Sequence, residues 1–142
     1  MFKKIYFKKY SDGRGDLVPI EIGADFQNAD IQFDVKRCYF ISTPTNEKNA
    51  IRGKHAHYDL EQVIICMNGS FNLVLDDGKG NRESVFLSNN SEGVYVKNLI
   101  WRELMNFSEN CVILVLASKH YNENDYIRDY NKFLKIVNEN DN

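Results

Sequence analysis

The run Arg52-Gly53-Lys54-His55-Ala56-His57 places two histidines at alternate positions, so an extended backbone points both imidazoles to one face. Two rings that meet one ligand can hold a metal or move protons, since an imidazole titrates near neutrality. Metal binding asks for more donors than the chain offers. Gln62, four intervening residues further on, is a neutral amide and a poor ligand for divalent ions, while the adjacent Glu61 points to the opposite face of a strand. The only other histidine, His120, lies near the C-terminal end and reads as a solvated surface residue. The pair is therefore expected to work without metal, as acid and base. Tyr39, Arg52, Tyr95, Trp101 and Arg102 are expected to line the same mouth with hydroxyls, stacking faces and positive charge. Each alone has an ordinary alternative: a strand position for the tyrosines, the core for the sole tryptophan, a surface ion pair for the arginines.

Two imidazoles held on one face need a strand in a rigid sheet, and the chain reads as all-β. Short β-like segments at 5–7, 17–22, 35–41, 61–67, 70–75, 82–87, 94–96, 100–104 and 111–117 are separated by turn signals. Asn68-Gly69 predicts a tight hairpin, and the Asp- and Gly-rich stretch 76–81 a second hairpin with a longer loop. Only the end departs from this rhythm: Tyr126, Ile127, Tyr130, Phe133, Leu134 and Val137 recur at helical spacing. This predicts a helix over about 123–137, capped by Asn122 or Asn124, followed by a polar tail at 138–142. Pro19 and Pro44 sit where a strand begins or a loop turns. Many short strands and one terminal helix predict a sandwich or closed barrel.

Length and charge narrow the partners. A chain of 142 residues is the size of one domain, read here as a single unit over 1–142. Its 18 basic and 20 acidic residues give a net charge of −2 and no basic face for a nucleic acid, so a small-molecule partner is expected. The longest apolar run, 111–117, is far too short to cross a bilayer, and the lysine-rich start is not followed by the apolar stretch of a secretory signal. Cys38, Cys66 and Cys111 each lie in an apolar run, which predicts buried free thiols in a reducing cytoplasm.

His55-Ala56-His57, Gln62 and Gly69 together resemble the first motif of the cupins, the double-stranded β-helix or jelly-roll barrels, with Gln62 where metal-binding members carry glutamate. Counting from Gly93, the second motif's histidine would fall near Leu104. More specifically, the chain resembles the sugar 3,4-ketoisomerases that act on dTDP-4-keto-6-deoxyglucose. The resemblance rests on residues 15–21, 33–40, 52–57 and 62–66, on Gly93-Val94-Tyr95-Val96 with Ile100-Trp101-Arg102-Glu103, and on 114–118 with 125–130. It departs at Lys97-Asn98, where the family often has prolines, and at Lys119-His120.

The resemblance implies a cofactor-free transfer of the keto group from carbon 4 to carbon 3 through an enediol. It assigns catalysis to His55, His57 and Tyr39, with His55 as the base at carbon 3, His57 shuttling protons at the oxygens, and Tyr39 with Arg52 holding the enolate. Arg14, Arg52, Gln62, Tyr95, Trp101 and Arg102 are the expected substrate contacts. A homodimer is implied, and a pathway leading through an aminotransferase to cell-surface glycans. Two rivals stay open: a cupin-fold 3,5-epimerase on the same nucleotide sugar, and a non-catalytic sugar-binding cupin.

Overall fold

The computed structural model describes residues 1–43 and 49–140, so the expectation for Pro44 and the last two residues of the polar tail lie outside the described residues. In chain order the strands are β1 (Phe2–Tyr6), β2 (Tyr10–Asp12), β3 (Gly15–Leu17), β4 (Arg37–Thr43), β5 (Ile51–His57) and β6 (Gln62–Asn68). They continue with β7 (Phe71–Asp76), β8 (Arg82–Leu87), β9 (Glu92–Val96), β10 (Trp101–Met105), β11 (Cys111–Ala117) and β12 (Tyr126–Ile127), before helix α1 (Tyr130–Glu139). Two five-stranded antiparallel sheets result, ordered β1-β9-β6-β11-β4 and β12-β5-β10-β7-β8, with β2 and β3 forming a separate hairpin.

Alternation along the strands explains the layers. Ile64 and Cys66 of β6, Val94 and Val96 of β9, Leu73 and Leu75 of β7 and Ile113 of β11 face inward and form one buried cluster between the sheets. The opposite parity of the first sheet, with Val63, Ile65 and Leu116, is covered by Phe7, Ile31 and Phe33. On the second sheet, Ala56 and Trp101 are covered by Ile127 and by Phe133 and Val137 of α1. The inner strands β6 and β7 are thus covered on both faces, which is why they read as nearly continuous apolar runs, whereas β4 and β8 at the sheet edges expose their outward positions.

Asn68-Gly69 does not make a hairpin. β6 pairs with β9 and β11, whereas β7 pairs with β8 and β10, so the turn carries the chain from one sheet to the other. Gly69 has φ 76°, and a Cβ there would fall 2.2 Å from Ser108 Oγ, so the crossing needs glycine. The second predicted hairpin, β7–β8 around 77–81, does form.

Helix α1 starts at Tyr130, seven residues later than about 123. Glu123–Asp125 forms a 3₁₀ turn capped by the Asn122 side chain, and Tyr126–Ile127 pairs with His57 and Ala56 as a strand. Asp129, accepting from Lys132 N, is the true N-cap. Cys66 and Cys111 are buried free thiols, whereas Cys38 is exposed because it lies on the outward parity of the edge strand β4. No helix among the described residues is long and apolar enough to cross a membrane.

Candidate active site

A cavity of about 380 Å³ opens between the sheets, lined by Arg37, Tyr39, Arg52, His55, Gln62 and Arg102, together with Tyr121, Tyr126 and apolar neighbours that include Leu104. Its composition follows from strand parity. Tyr39, Gln62 and Arg102 share the inward face with Ile41, Ile64 and Leu104. Arg52 and His55 are three residues apart and would face opposite ways on a regular strand. A bulge resolves this: Arg102 pairs with His55 but Leu104 pairs with Arg52, so β5 carries one extra residue. Gly53, at φ 69°, sits in the bulge, where a Cβ would lie 3.0 Å from Leu104 Cδ1. The bulge returns Arg52 to the cavity side.

His57 does not line the cavity. It is fully buried, its ring edge-on to that of His55 with centroids 4.7 Å apart. His57 Nδ1 lies 3.1 Å from Asp125 Oδ2. The Asp125 carboxylate also accepts the backbone N–H groups of Asp59 at 2.9 Å and Leu60 at 3.3 Å, which locks the turn after β5 to the 3₁₀ turn. A carboxylate so engaged accepts from Nδ1–H, leaving the lone pair of His57 on Nε2. Tyr126 packs on both imidazoles, 5.0 Å from His55 and 4.5 Å from His57, and Arg128 lies 4.2 Å from its ring centre.

Both histidines are held neutral. Burial first, then the charge of Arg102, pulls His55 from 6.5 down to about 3, with the Gly53 backbone hydrogen bond acting weakly the other way. Burial and Arg102 take His57 to about 2. The Nε2 atoms of both rings are buried and have no hydrogen-bond partner. Arg102 is 1% exposed; burial lowers it to about 10, so it stays charged at neutral pH. Arg37, over the rings of Tyr39 and Tyr121 at 5.2 and 5.5 Å, keeps Nε and Nη2 buried without a partner. A neutral base beneath three arginines suits an anionic substrate whose charge grows during reaction.

The depressed histidines also set an acid limit on stability. The unfolded chain binds protons at these positions below about pH 6.5, while the folded protein resists them until about pH 3 or lower. Their contribution is therefore complete above about 6.5 and is lost progressively as pH falls, by an amount on the order of several kcal/mol. Thermal midpoints measured from about pH 7 to 4 should fall steeply for the wild type and less steeply for His57→Asn. Equal slopes would contradict the burial of neutral His57.

Other expected contacts lie elsewhere. Tyr95 has the parity opposite to Val94 and Val96, lines a separate 430 Å³ groove on the outer face of the first sheet, and donates its hydroxyl to Glu61. Trp101 is 3% exposed under α1, 5.2 Å from Tyr130 and 5.7 Å from Phe133, with Nε1 donating to Glu103 at 3.1 Å. Arg14 is at the tip of the β2–β3 hairpin, paired with Asp12 at 2.6 Å. Conversely Asp125, Arg37, Tyr121 and Tyr126 belong to the site but were not predicted for it.

As for a metal, the Gln62 side chain is turned to Arg102 and Tyr39, Leu104 offers no donor, and no three His, Cys, Asp or Glu side chains gather into a possible metal site among the described residues.

A neutral imidazole on a cationic cavity, backed by a second, suits proton removal beside the carbonyl of an anionic substrate, the chemistry of cupin-fold nucleotide-sugar isomerases and epimerases. The comparisons narrow that class. The chain belongs to the family described as FdtA: WxcM-like, C-terminal, which matches residues 2–138. It is 45% identical over 135 residues to a TDP-4-oxo-6-deoxy-alpha-D-glucose-3,4-oxoisomerase from Aneurinibacillus thermoaerophilus, covering 95% of this chain and 91% of that protein. Among solved structures, a 3,4-ketoisomerase from Helicobacter canadensis is 43% identical with a TM-score of 0.87, covering 96% and 97% of the two chains. The 3,4-ketoisomerase QdtA from Thermoanaerobacterium thermosaccharolyticum, solved as a histidine-to-asparagine variant with TDP-4-keto-6-deoxyglucose, is 40% identical with a TM-score of 0.88 over 97% and 94%. The protein is a cupin-fold sugar-nucleotide 3,4-ketoisomerase.

Proposed function

We propose that the protein moves the keto group of TDP-4-keto-6-deoxyglucose from carbon 4 to carbon 3, without metal or nicotinamide, with His55 as the base. The observation that carries this reading is the buried, unpartnered Nε2 of a neutral His55 on a cavity lined by Arg37, Arg52 and Arg102. His55 Nε2 takes the proton from carbon 3. The C–H electron pair becomes the C3=C4 double bond, and the oxygen on carbon 4 takes up the charge. The hydroxyl proton on carbon 3 passes to that oxygen, the carbonyl forms at carbon 3, and the double-bond pair takes a proton at carbon 4. His57, edge-on behind His55 and anchored on Asp125, is the second imidazole of this relay.

A free His55 near 3 is a weak base, but the diphosphate and the growing enediolate both favour its protonated form as the proton moves. Arg37, with two buried nitrogens unpartnered, is suited to the diphosphate. The cytoplasm, where three free thiols persist, is the proposed compartment. Incubation with TDP-4-keto-6-deoxyglucose in chelator should give the 3-keto sugar by NMR. A product whose carbonyl stays on carbon 4 would point to the epimerase reading.

The protein is also read as a homodimer. Tyr10 and Leu17, 51% and 63% exposed, sit on a hairpin that pairs with no other strand among the described residues, an unprotected element that a second copy can cover. Sedimentation at micromolar concentration should give twice the chain mass; a fully active monomer would contradict this.

A further inference from the structure

The Gln62 amide stands between Arg102 and Tyr39, and the chemistry of its two neighbours leaves it one orientation. A guanidinium has donors only, so the oxygen Oε1 must face Arg102, which donates to it from Nη1 while Nη2 donates to the Ile100 carbonyl at 2.9 Å. The amide nitrogen is then turned to Tyr39 and donates to the phenol oxygen at 3.1 Å. Gln62 and Arg102 are each 1% exposed, so water cannot exchange these roles. With its oxygen accepting from Gln62, Tyr39 cannot return its own proton there. Among the described residues no other acceptor takes that proton, and the phenol borders the cavity that holds His55.

We infer that Arg102 and Gln62 are positioning residues that turn the Tyr39 hydroxyl into an obligate hydrogen-bond donor aimed at the substrate oxygen that becomes negative. The inference rests on the ketoisomerase reading and deepens it. Burial keeps the phenol protonated by raising it above its usual range, so it can donate throughout the working pH range. Gln62, at the place where a metal-binding relative would have glutamate, does a different job: a glutamate could accept from Arg102 but, when ionised, could not donate to Tyr39. The phenol would then donate to the carboxylate and turn away from the cavity.

Gln62→Glu tests this, because a protonated carboxylic acid restores the amide's pattern of one acceptor and one donor. The titratable and charged groups around it are Arg102 of β10, Arg37 and Tyr39 of β4, Arg52 and His55 of β5, Tyr126 of β12 and Tyr121, while β9 and β11 bring only Val96 and Ala117 opposite it. The expected result is a kcat lowered by roughly 10²-fold at pH 8, recovering relative to wild type as pH falls, with TDP affinity changed by less than about threefold. Tyr39→Phe should lower kcat by roughly 10- to 10³-fold with little change in KM, and adding Gln62→Glu to it should cost no more. A Gln62→Glu enzyme with wild-type kcat, or with a loss equal at every pH, would overturn the inference, as would a fully active Tyr39→Phe if Gln62→Glu does not fold. In each of these cases an active wild type leaves the ketoisomerase reading standing, whereas an inactive wild type removes that reading itself.

Discussion

His55→Asn is expected to lower kcat by roughly 10²- to 10⁴-fold while leaving TDP affinity nearly unchanged. Asparagine keeps a polar side chain at this position, and no hydrogen bond of Nε2 is lost, because that atom has no partner. What is lost is the lone pair proposed to accept the carbon-bound proton. Because Arg37, Arg52, Gln62 and Arg102 remain around the cavity, binding of the anionic nucleotide should survive. Steady-state kinetics together with a TDP titration separate the two effects. A variant that turns over within about threefold of wild type would remove His55 from the role of base.

Asp125→Asn is expected to have the next largest effect, a fall in kcat of roughly 10²-fold or more with a modest loss of stability. The carboxylate now accepts from His57 Nδ1 and from two backbone N–H groups. Oδ1 accepts from Asp59 N–H and Oδ2 from both Leu60 N–H and His57 Nδ1–H, so an amide turns its NH₂ group either to Asp59 or to the Leu60 and His57 side, and in the second orientation the ring proton must move from Nδ1 to Nε2. In either orientation the negative charge that favours proton uptake by His57 is gone, and in the second Nε2 has no lone pair left to take a proton. Wild-type kcat in Asp125→Asn would show that the carboxylate behind His57 does not matter to turnover.

Asp125 also illustrates why part of the site was hidden in the sequence. Residues 126–137 carry a helical spacing of apolar residues, and extending the helix to 123 put Asp125 at its start, where an acidic residue needs no further reason. In the structure Tyr126 and Ile127 are a short strand on β5, and that pairing carries Asp125 to His57 and Tyr126 over both imidazoles. A two-residue strand leaves too little pattern to recognise, since both positions also fit the helical stripe.

Parity, by contrast, was legible. It placed His55 and His57 on one face and Glu61 opposite Gln62, and the same count applied to Tyr95 beside Val94 and Val96, and to Trp101 beside Arg102, would have sent both aromatics outward. Arg52 is the opposite case: alternation alone would have excluded it, and only the bulge at Gly53 restores it. Bulges depend on the partner strand, which a single sequence does not display. The Asn68-Gly69 turn has the chemistry of a hairpin, but β7 pairs with β8 and β10 in the other sheet, and the β10 partner is distant in the sequence.

The most direct test of the mechanism is turnover of TDP-4-keto-6-deoxyglucose in D₂O, read by NMR at each ring carbon. Base catalysis by His55 should give a 3-keto product with deuterium at carbon 4, formed in the wild type and nearly abolished in His55→Asn. Deuterium at carbons 3 or 5 of a sugar whose carbonyl remains on carbon 4 would contradict it.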